Sequence, residues 1–323
     1  MGDAAGIGPE ILAAAAGSPI VRECARILAV GHAEVLDKAA RIMHADIRIN
    51  LVGPDLSSME DDSLNLIHMD GLDRTRFAYG KVDGMCGRAA FSYIAEAARL
   101  ASAGDVDAIA TTAINKESLK AGGVPHIGHT EILADLTRSH DPLTMFQVHD
   151  LRVFFLTRHL SLFDACKAVT RARVLDYIRR CTKALQTLGI ATPKIVVAGL
   201  NPHCGEHGLF GHEEDREILP AIEDAQREGY AVEGPRPADS VFHFALKGTW
   251  DAVLSLYHDQ GHIATKMVDF ERTISLTLGL PFLRTSVDHG SAFDIAGKGK
   301  ASPVSMIEAI RLAALYAPHF KKE

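Results

Sequence analysis

The absences in this sequence narrow its function before any motif is considered. Only five of its 323 residues are cysteine (Cys24, Cys86, Cys166, Cys181 and Cys204), an odd number with no C-x-x-C pair. That argues against a disulfide framework and predicts a reducing compartment with mostly buried thiols. No run of Lys or Arg exceeds two residues and the net charge is −7, so a nucleic-acid backbone is not the expected main partner. Local cations could still hold a small anionic substrate inside such an acidic chain. Apolar stretches fall far short of the ~20 residues that span a bilayer. Met1 is followed by Gly2-Asp3-Ala4-Ala5, not by a basic region and an apolar core, so no signal peptide is expected. Repeats and low-complexity linkers are missing as well. These absences predict a cytoplasmic protein that does not enter membranes.

The remaining composition, 47% hydrophobic and 23% charged, is that of an ordinary globular protein. The length suits one large α/β domain or two moderate ones. Short apolar runs alternate with longer amphipathic ones, the pattern of βαβ units around a mostly parallel sheet. Strands are predicted at 26–30, 47–52, 108–111, 153–156, 194–199, 252–256 and 282–284. Helices are predicted at 9–16, 33–43, 88–103, 131–136, 163–188, 213–228 and 304–315.

Polar clusters follow five of these strands. They are Thr111 to Lys116, Thr157-Arg-His159, Asn201-Pro-His203-Cys-Gly-Glu206, Tyr257-His258-Asp259-Gln260-Gly-His262 and Thr285 to Gly290. Ligands of open α/β sheets bind beyond the carboxyl ends of strands, so the five clusters suggest one converging site. The plainer alternative is turn and cap chemistry, which does not call for repeated histidine.

Among 16 histidines, His159, His203 and His258 come from three different strand ends and could approach one point. Three imidazoles with open positions suit a catalytic divalent ion, Zn²⁺ first and Co²⁺, Mn²⁺ or Mg²⁺ after it. The alternative is a set of polar core or turn histidines. Two local arrangements compete. His203, His207 and His212 sit among Gly205, Gly208 and Gly211, which reads as a flexible loop. His258-x3-His262 has the spacing of a helical metal pair, but Gly261 and the missing general-base Glu argue against that helix. The segment from Gly2 to Glu10 leads into a helix; its glycines permit close approach to an anion or carbonyl, with a tight turn as the equal alternative. The stretch from Asp288 to Ala301 is too polar for a core strand and too ordered for a linker, and is predicted to cradle a ligand. Lys116, Lys266 and Arg284 supply cations near these clusters.

With these motifs in view, the chain resembles the 4-hydroxythreonine-4-phosphate dehydrogenases of vitamin B6 synthesis (the pyridoxal phosphate biosynthesis protein PdxA family) and their 4-phosphothreonate dehydrogenase paralogues. The resemblance runs nearly end to end. It is carried by Gly2 to Glu10, Ile114-Asn-Lys116, Gly128-His-Thr-Glu131, Thr157-Arg-His-Leu160 and Asn201 to Glu206. It continues through Pro237-Ala-Asp239, Tyr257 to Gly261, Leu276 to Pro281 and Arg284 to Gly290. The stretch His289–Gly299 also looks like the NAD-binding loop of isopropylmalate and isocitrate dehydrogenases. The resemblance therefore implies a two-domain fold of that kind with a mostly parallel sheet, not a Rossmann fold. The expected domains are 1–125 with 275–323, carrying the NAD loop, and 126–274, carrying the metal histidines and dimer contacts.

It further implies a homodimer with the active site in the cleft and completed at the interface, and metal ligands His159, His203 and His258. Substrate would be held by His129, Thr130, Lys266, Ser275 and Arg284, and NAD (or NADP) by His289, Gly290, Ser291, Asp294 and Gly297. Lys266 and Asp239 are the candidates for proton transfer, Lys266 on condition that burial makes it a base. The implied reaction is metal- and NAD-dependent oxidation, with decarboxylation, of 4-phosphohydroxy-L-threonine. The alternative is the same chemistry on 4-phospho-D-threonate or 4-phospho-D-erythronate. Ser275 stands where the family has Asn, Ala4 and Ala113 replace Pro, and the family's apolar strand ahead of Gly-Asp is not seen before Gly2.

Overall fold

The computed structural model describes residues 1–53, 55–73 and 75–320. The chain divides into two compact units, one built from Met1–Pro142 and Gly279–Pro318, the other from Leu143–Leu278.

The first unit holds strands β1 (Leu28–Gly31), β2 (Ile49–Leu51), β3 (Leu64–His68), β4 (Ala108–Thr111) and β11 (Leu283–Val287). Its helices are α1 (Gly8–Ala16), α2 (Pro19–Cys24), α3 (Ala33–Ile42), α4 (Gly84–Ala103), α5 (Lys116–Ala121), α6 (His129–Thr137) and α12 (Val304–Tyr316). β1, β3 and β2 pair in that order, all parallel. β4 and β11 form a parallel pair with Arg284 opposite Ile109. α4 starts earlier than its apolar spacing suggests, because the Asp83 carboxylate caps it, accepting from the amides of Met85 and Cys86, the standard role of Asp at this position. Ile132 and Leu133 of α6 are fully buried with Ile94, Leu119, Leu280 and Phe282. This packing brings residues 126–142, expected in the second domain, into the first unit. A cavity of about 580 Å³ in this unit is lined by Ala29, Tyr93, Ala97, Ala110, Met306 and Ile310, among others.

The second unit holds β5 (Leu143–Val148), β6 (Leu151–Phe155), β7 (Ile195–Ala198), β8 (Val232–Arg236), β9 (Ala252–Ser255) and β10 (Ile274–Leu278). Its helices are α7 (Leu162–Lys167), α8 (Arg171–Thr187), α9 (Leu219–Arg227), α10 (Ala238–Leu246) and α11 (His258–Val268). The strand order is β10-β5-β6-β9-β7-β8. β10, β5 and β6 are antiparallel neighbours, whereas β6, β9, β7 and β8 run parallel. Residues 275–278 therefore belong here, through β10 pairing with β5. The helix expected over 163–188 is two, because the Thr170 hydroxyl caps a fresh start by accepting from the Arg173 amide.

α11 corrects the expectation that Gly261 rules out a helix after His258. A Cβ at position 261 would stand 2.5 Å from the Phe155 ring and 2.7 Å from Ser255 Oγ. The glycine is there to let the helix lie against β6 and β9, a packing gain that outweighs its modest propensity cost. No helix among the described residues is long and apolar enough to cross a membrane.

Candidate active site

In the second unit, β6, β9 and β7 are adjacent and parallel, so their carboxyl ends share one edge at a spacing of ~4.8 Å per strand. The three predicted metal histidines follow these ends: His159 after Phe155, His258 after Ser255 and His203 after Ala198. The His159 and His258 rings lie 6.5 Å apart, centroid to centroid. His258 places Nδ1 2.6 Å from the Asp259 carboxylate, which leaves Nε2 to face a ligand, the carboxylate–histidine arrangement common behind metal ligands. Three imidazoles at one strand edge fit a divalent ion in donor type. Among the described residues, however, no three His, Cys, Asp or Glu side chains are grouped closely enough to hold an ion. The three histidines thus share an edge without forming a closed cage.

α11 adds a fourth imidazole. His262 stacks on His258 at 4.1 Å and sits against the rings of Phe146 and Phe155 at 4.4 and 4.6 Å. Burial, with the charge of His258 next, pulls its pKa down to about 4, and its Nδ1 has no hydrogen-bond partner. Lys266, one turn on, is half-buried and not enclosed, with its ammonium 5.4 Å from the Phe270 ring. Asp239 is exposed in the first turn of α10, and its negative charge reaches the Cys204 thiol beside His203. Ser275 is half-buried in β10, opposite Phe146.

In the first unit the predicted substrate residues form a second cluster. Arg284 is 5% exposed on β11, and its Nε and Nη2 donate to Thr111 Oγ1 on β4 at 3.1 and 2.7 Å. Burial lowers its pKa to about 9 against the opposing pull of the Glu131 carboxylate, so the guanidinium stays cationic at neutral pH. His129 opens α6. It keeps some solvent contact, yet desolvation, with the Arg284 charge next, holds its imidazole well below the usual histidine range. It is neutral at pH 7. Thr130 and Glu131 complete the first turn of the same helix.

The predicted cofactor loop is tied down from an unexpected direction. Glu10 of α1, only 1% exposed, accepts from the amides of Gly297 and Gly299 at 2.8 and 2.9 Å. The Ile7 amide donates to the Ser291 carbonyl at 3.0 Å. A Cβ on Gly6 would stand 2.8 Å from that of Ser291. The glycines of the first ten residues thus allow close approach to the chain's own loop. Residues 2–10 are all buried, which explains why this segment is not an open anion cradle. Within the loop Ser291 is buried, His289 and Gly297 are half-buried, and Gly290 and Asp294 are exposed. The 580 Å³ cavity is lined by both polar and apolar groups and meets the Arg284 cluster at Thr111 and His129. Glu10, Thr111 and His262 stand in segments that the sequence marks, but the roles they take here were not read from it: the contacts that give them those roles involve residues far away in the chain or across a sheet.

An α/β protein with a mostly parallel sheet, histidines beyond the strand ends of one unit and a buried arginine on β11 of the other suits a dehydrogenase acting on a phosphorylated hydroxy acid, the class that the comparisons give. Residues 22–313 match the profile described as "Pyridoxal phosphate biosynthetic protein PdxA". A Fusobacterium nucleatum protein named "Putative D-threonate 4-phosphate dehydrogenase" is 60% identical over 322 residues, 99% of this chain and 97% of its own length. A protein of the same name from Halalkalibacterium halodurans is 59% identical over 321 residues, covering 99% of this chain and 96% of its own. Among solved structures, 4-hydroxythreonine-4-phosphate dehydrogenase from Klebsiella pneumoniae is 39% identical with a TM-score of 0.88, covering 98% of both chains. A terephthalate 1,2-cis-dihydrodiol dehydrogenase from Burkholderia xenovorans is more distant, at 30% identity and a TM-score of 0.65 over 97% and 96% of the two chains. The chain belongs to the PdxA family.

Proposed function

We propose that this protein is an NAD-linked, divalent-metal-dependent dehydrogenase whose substrate is D-threonate 4-phosphate. The observation that carries the choice is end-to-end identity of 60% with a relative bearing that substrate in its name, against 39% for the structure named for hydroxythreonine phosphate. Ser275 in place of the family's Asn agrees with a substrate differing from 4-phosphohydroxy-L-threonine. The lower likeness of the ring-diol enzyme, together with the retained His129, Thr130 and Arg284, favours an anionic phospho-acid over a ring.

A divalent ion at His159, His203 and His258 would supply Lewis acidity to the substrate hydroxyl, and NAD at the 289–297 loop would supply the hydride acceptor. The chain's own groups do the rest. Arg284, a desolvated cation oriented by Thr111, is suited to hold phosphate or carboxylate oxygens. Neutral His129 and Thr130 donate hydrogen bonds to the same anion from the first turn of α6, where a helix N-terminus favours negative charge. Lys266 is assigned to anchoring the carboxylate, in keeping with its half-buried position. Asp239 is assigned to receiving the hydroxyl proton, directly or through water. Oxidation of the hydroxyl next to the carboxylate-bearing carbon gives a β-keto acid, whose loss of CO₂ leaves dihydroxyacetone phosphate. We also assign the protein to a homodimer, on the exposed apolar stripe of Ile263, Met267 and Phe270 at 62, 80 and 65% exposure, since unpartnered apolar stripes mark interaction surfaces.

The test is a rate assay of metal-replete protein with NAD on D-threonate 4-phosphate, D-erythronate 4-phosphate and 4-phosphohydroxy-L-threonine. Preference for D-threonate 4-phosphate is expected. Preference for the amino acid would move the enzyme to vitamin B6 synthesis, and no turnover on any would discard the substrate class.

A further inference from the structure

The segment that presents His203 has an unusual backbone. Six successive residues, His203 to Gly208, have positive φ: 51, 57, 79, 45, 56 and 90°. Four of them carry side chains, so the turn is held against the preference of L-residues. Such conformations persist only where the surroundings over-determine them. We infer that the Glu214 carboxylate is what sets this turn, and that Glu214 is a positioning residue for His203 as a metal ligand.

Glu214 is 2% exposed. Its Oε1 accepts from the backbone amides of Leu200 and Asn201, both at 2.7 Å, and its Oε2 accepts from Asn201 Nδ2 at 2.8 Å. The carboxylate thus holds two of the three residues, Leu200 and Asn201, that link β7 to Pro202-His203. The same Oε2 packs against Gly205, where a Cβ would lie 3.0 Å away. Glu213 takes the other Asn201 Nδ2 contact at 2.7 Å. Residues Glu214–Ile218 form a π turn, a widened helical turn often found where function dictates side-chain placement. A buried carboxylate with three donors around it cannot shift without losing charge-assisted bonds, so His203 is fixed relative to the strand edge it shares with His159 and His258. A neutral amide of the same size cannot replace it: Gln would set its own N–H donors against Asn201 Nδ2 or against the two backbone amides.

This inference rests on the proposed metal role of the three histidines. The experiment measures cobalt(II) affinity of the full-length protein by chelator competition and by the visible absorption of the bound ion, with no substrate or NAD present. It is run on the wild type, His203→Ala and Glu214→Gln, alongside the thermal midpoint of each metal-free protein. Glu214→Gln is expected to weaken cobalt binding about 10- to 100-fold and to change the absorption envelope, with the metal-free midpoint within a few degrees of wild type. Wild-type affinity and spectrum in Glu214→Gln, when His203→Ala has lost the ion, overturns the inference alone. Equal binding by wild type and His203→Ala removes the metal centre and the inference with it. Should Glu214→Gln fail to fold, Asn201→Ala removes one donor from the same carboxylate and should show a smaller loss of affinity in the same direction; unchanged affinity there overturns the inference.

Discussion

Arg284 is a cation kept out of water on β11, with Thr111 fixing the direction of its guanidinium fork. Removing it should affect substrate binding, since a fixed cation holds an anion alike in ground and transition states. For Arg284→Ala we expect KM for the phospho-acid to rise on the order of 10- to 100-fold, the worth of a charge-assisted hydrogen bond, with kcat changed far less. Steady-state kinetics at saturating NAD check this, and a fall in kcat at constant KM would refute the role. His262 gives a second prediction at this scale. Its folded pKa is lowered to about 4, so between about pH 6.5 and 4 the unfolded chain binds a proton that the folded chain refuses. Its contribution is therefore fully present above 6.5 and is lost as pH falls through that window, at up to ~1.4 kcal/mol per pH unit. His129 acts in the same direction. Urea unfolding of the wild type and His262→Phe at pH 7 and pH 5 should show the variant losing less stability on acidification. Arg284 and the strand-end histidines were legible in the sequence because each follows an apolar run. Glu10 was not, because its role depends on Gly297 and Gly299, 287 and 289 positions away.

Among the elements, α11 shows how a local rule can be overridden. Glycine inside a helical pattern lowers the case for a helix, yet Gly261 is what allows α11 to pack against Phe155 and Ser255. Gly261→Ala should therefore destabilise the protein by about 1–3 kcal/mol through overpacking, although alanine is the better helix former. Chemical denaturation measures it, and a stabilised variant would show that helix and sheet are not in close contact. The opposite experiment suits α4, where Ala97 borders the 580 Å³ cavity. Ala97→Leu should fill part of that space and raise stability by about 1 kcal/mol. β5 and β10 escaped sequence reading for a related reason. Thr144, Gln147 and Thr277 interrupt their apolar runs, yet all six residues of β5 are buried. Polar residues inside a strand that is covered along its length erase the period-2 signal.

For the whole molecule, the apolar stripe of Ile263, Met267 and Phe270 is the feature with consequences for assembly. Met267→Asp should convert the proposed dimer to monomer in sedimentation analysis while leaving the fold intact by circular dichroism. A dimer of unchanged affinity would place the interface elsewhere. The sequence by itself determined the fold class, the family and the placing of histidines beyond three strand ends, because apolar period, charge and short motifs are local along the chain. It did not determine which unit each segment joins, since His129 and Thr130 come to share a unit with Arg284 only through the packing of α6 on α4. Nor did it show that buried carboxylates at Glu10 and Glu214 hold the two loops. Those outcomes depend on burial and on hydrogen bonds between distant residues, and only the tertiary structure brings such residues together.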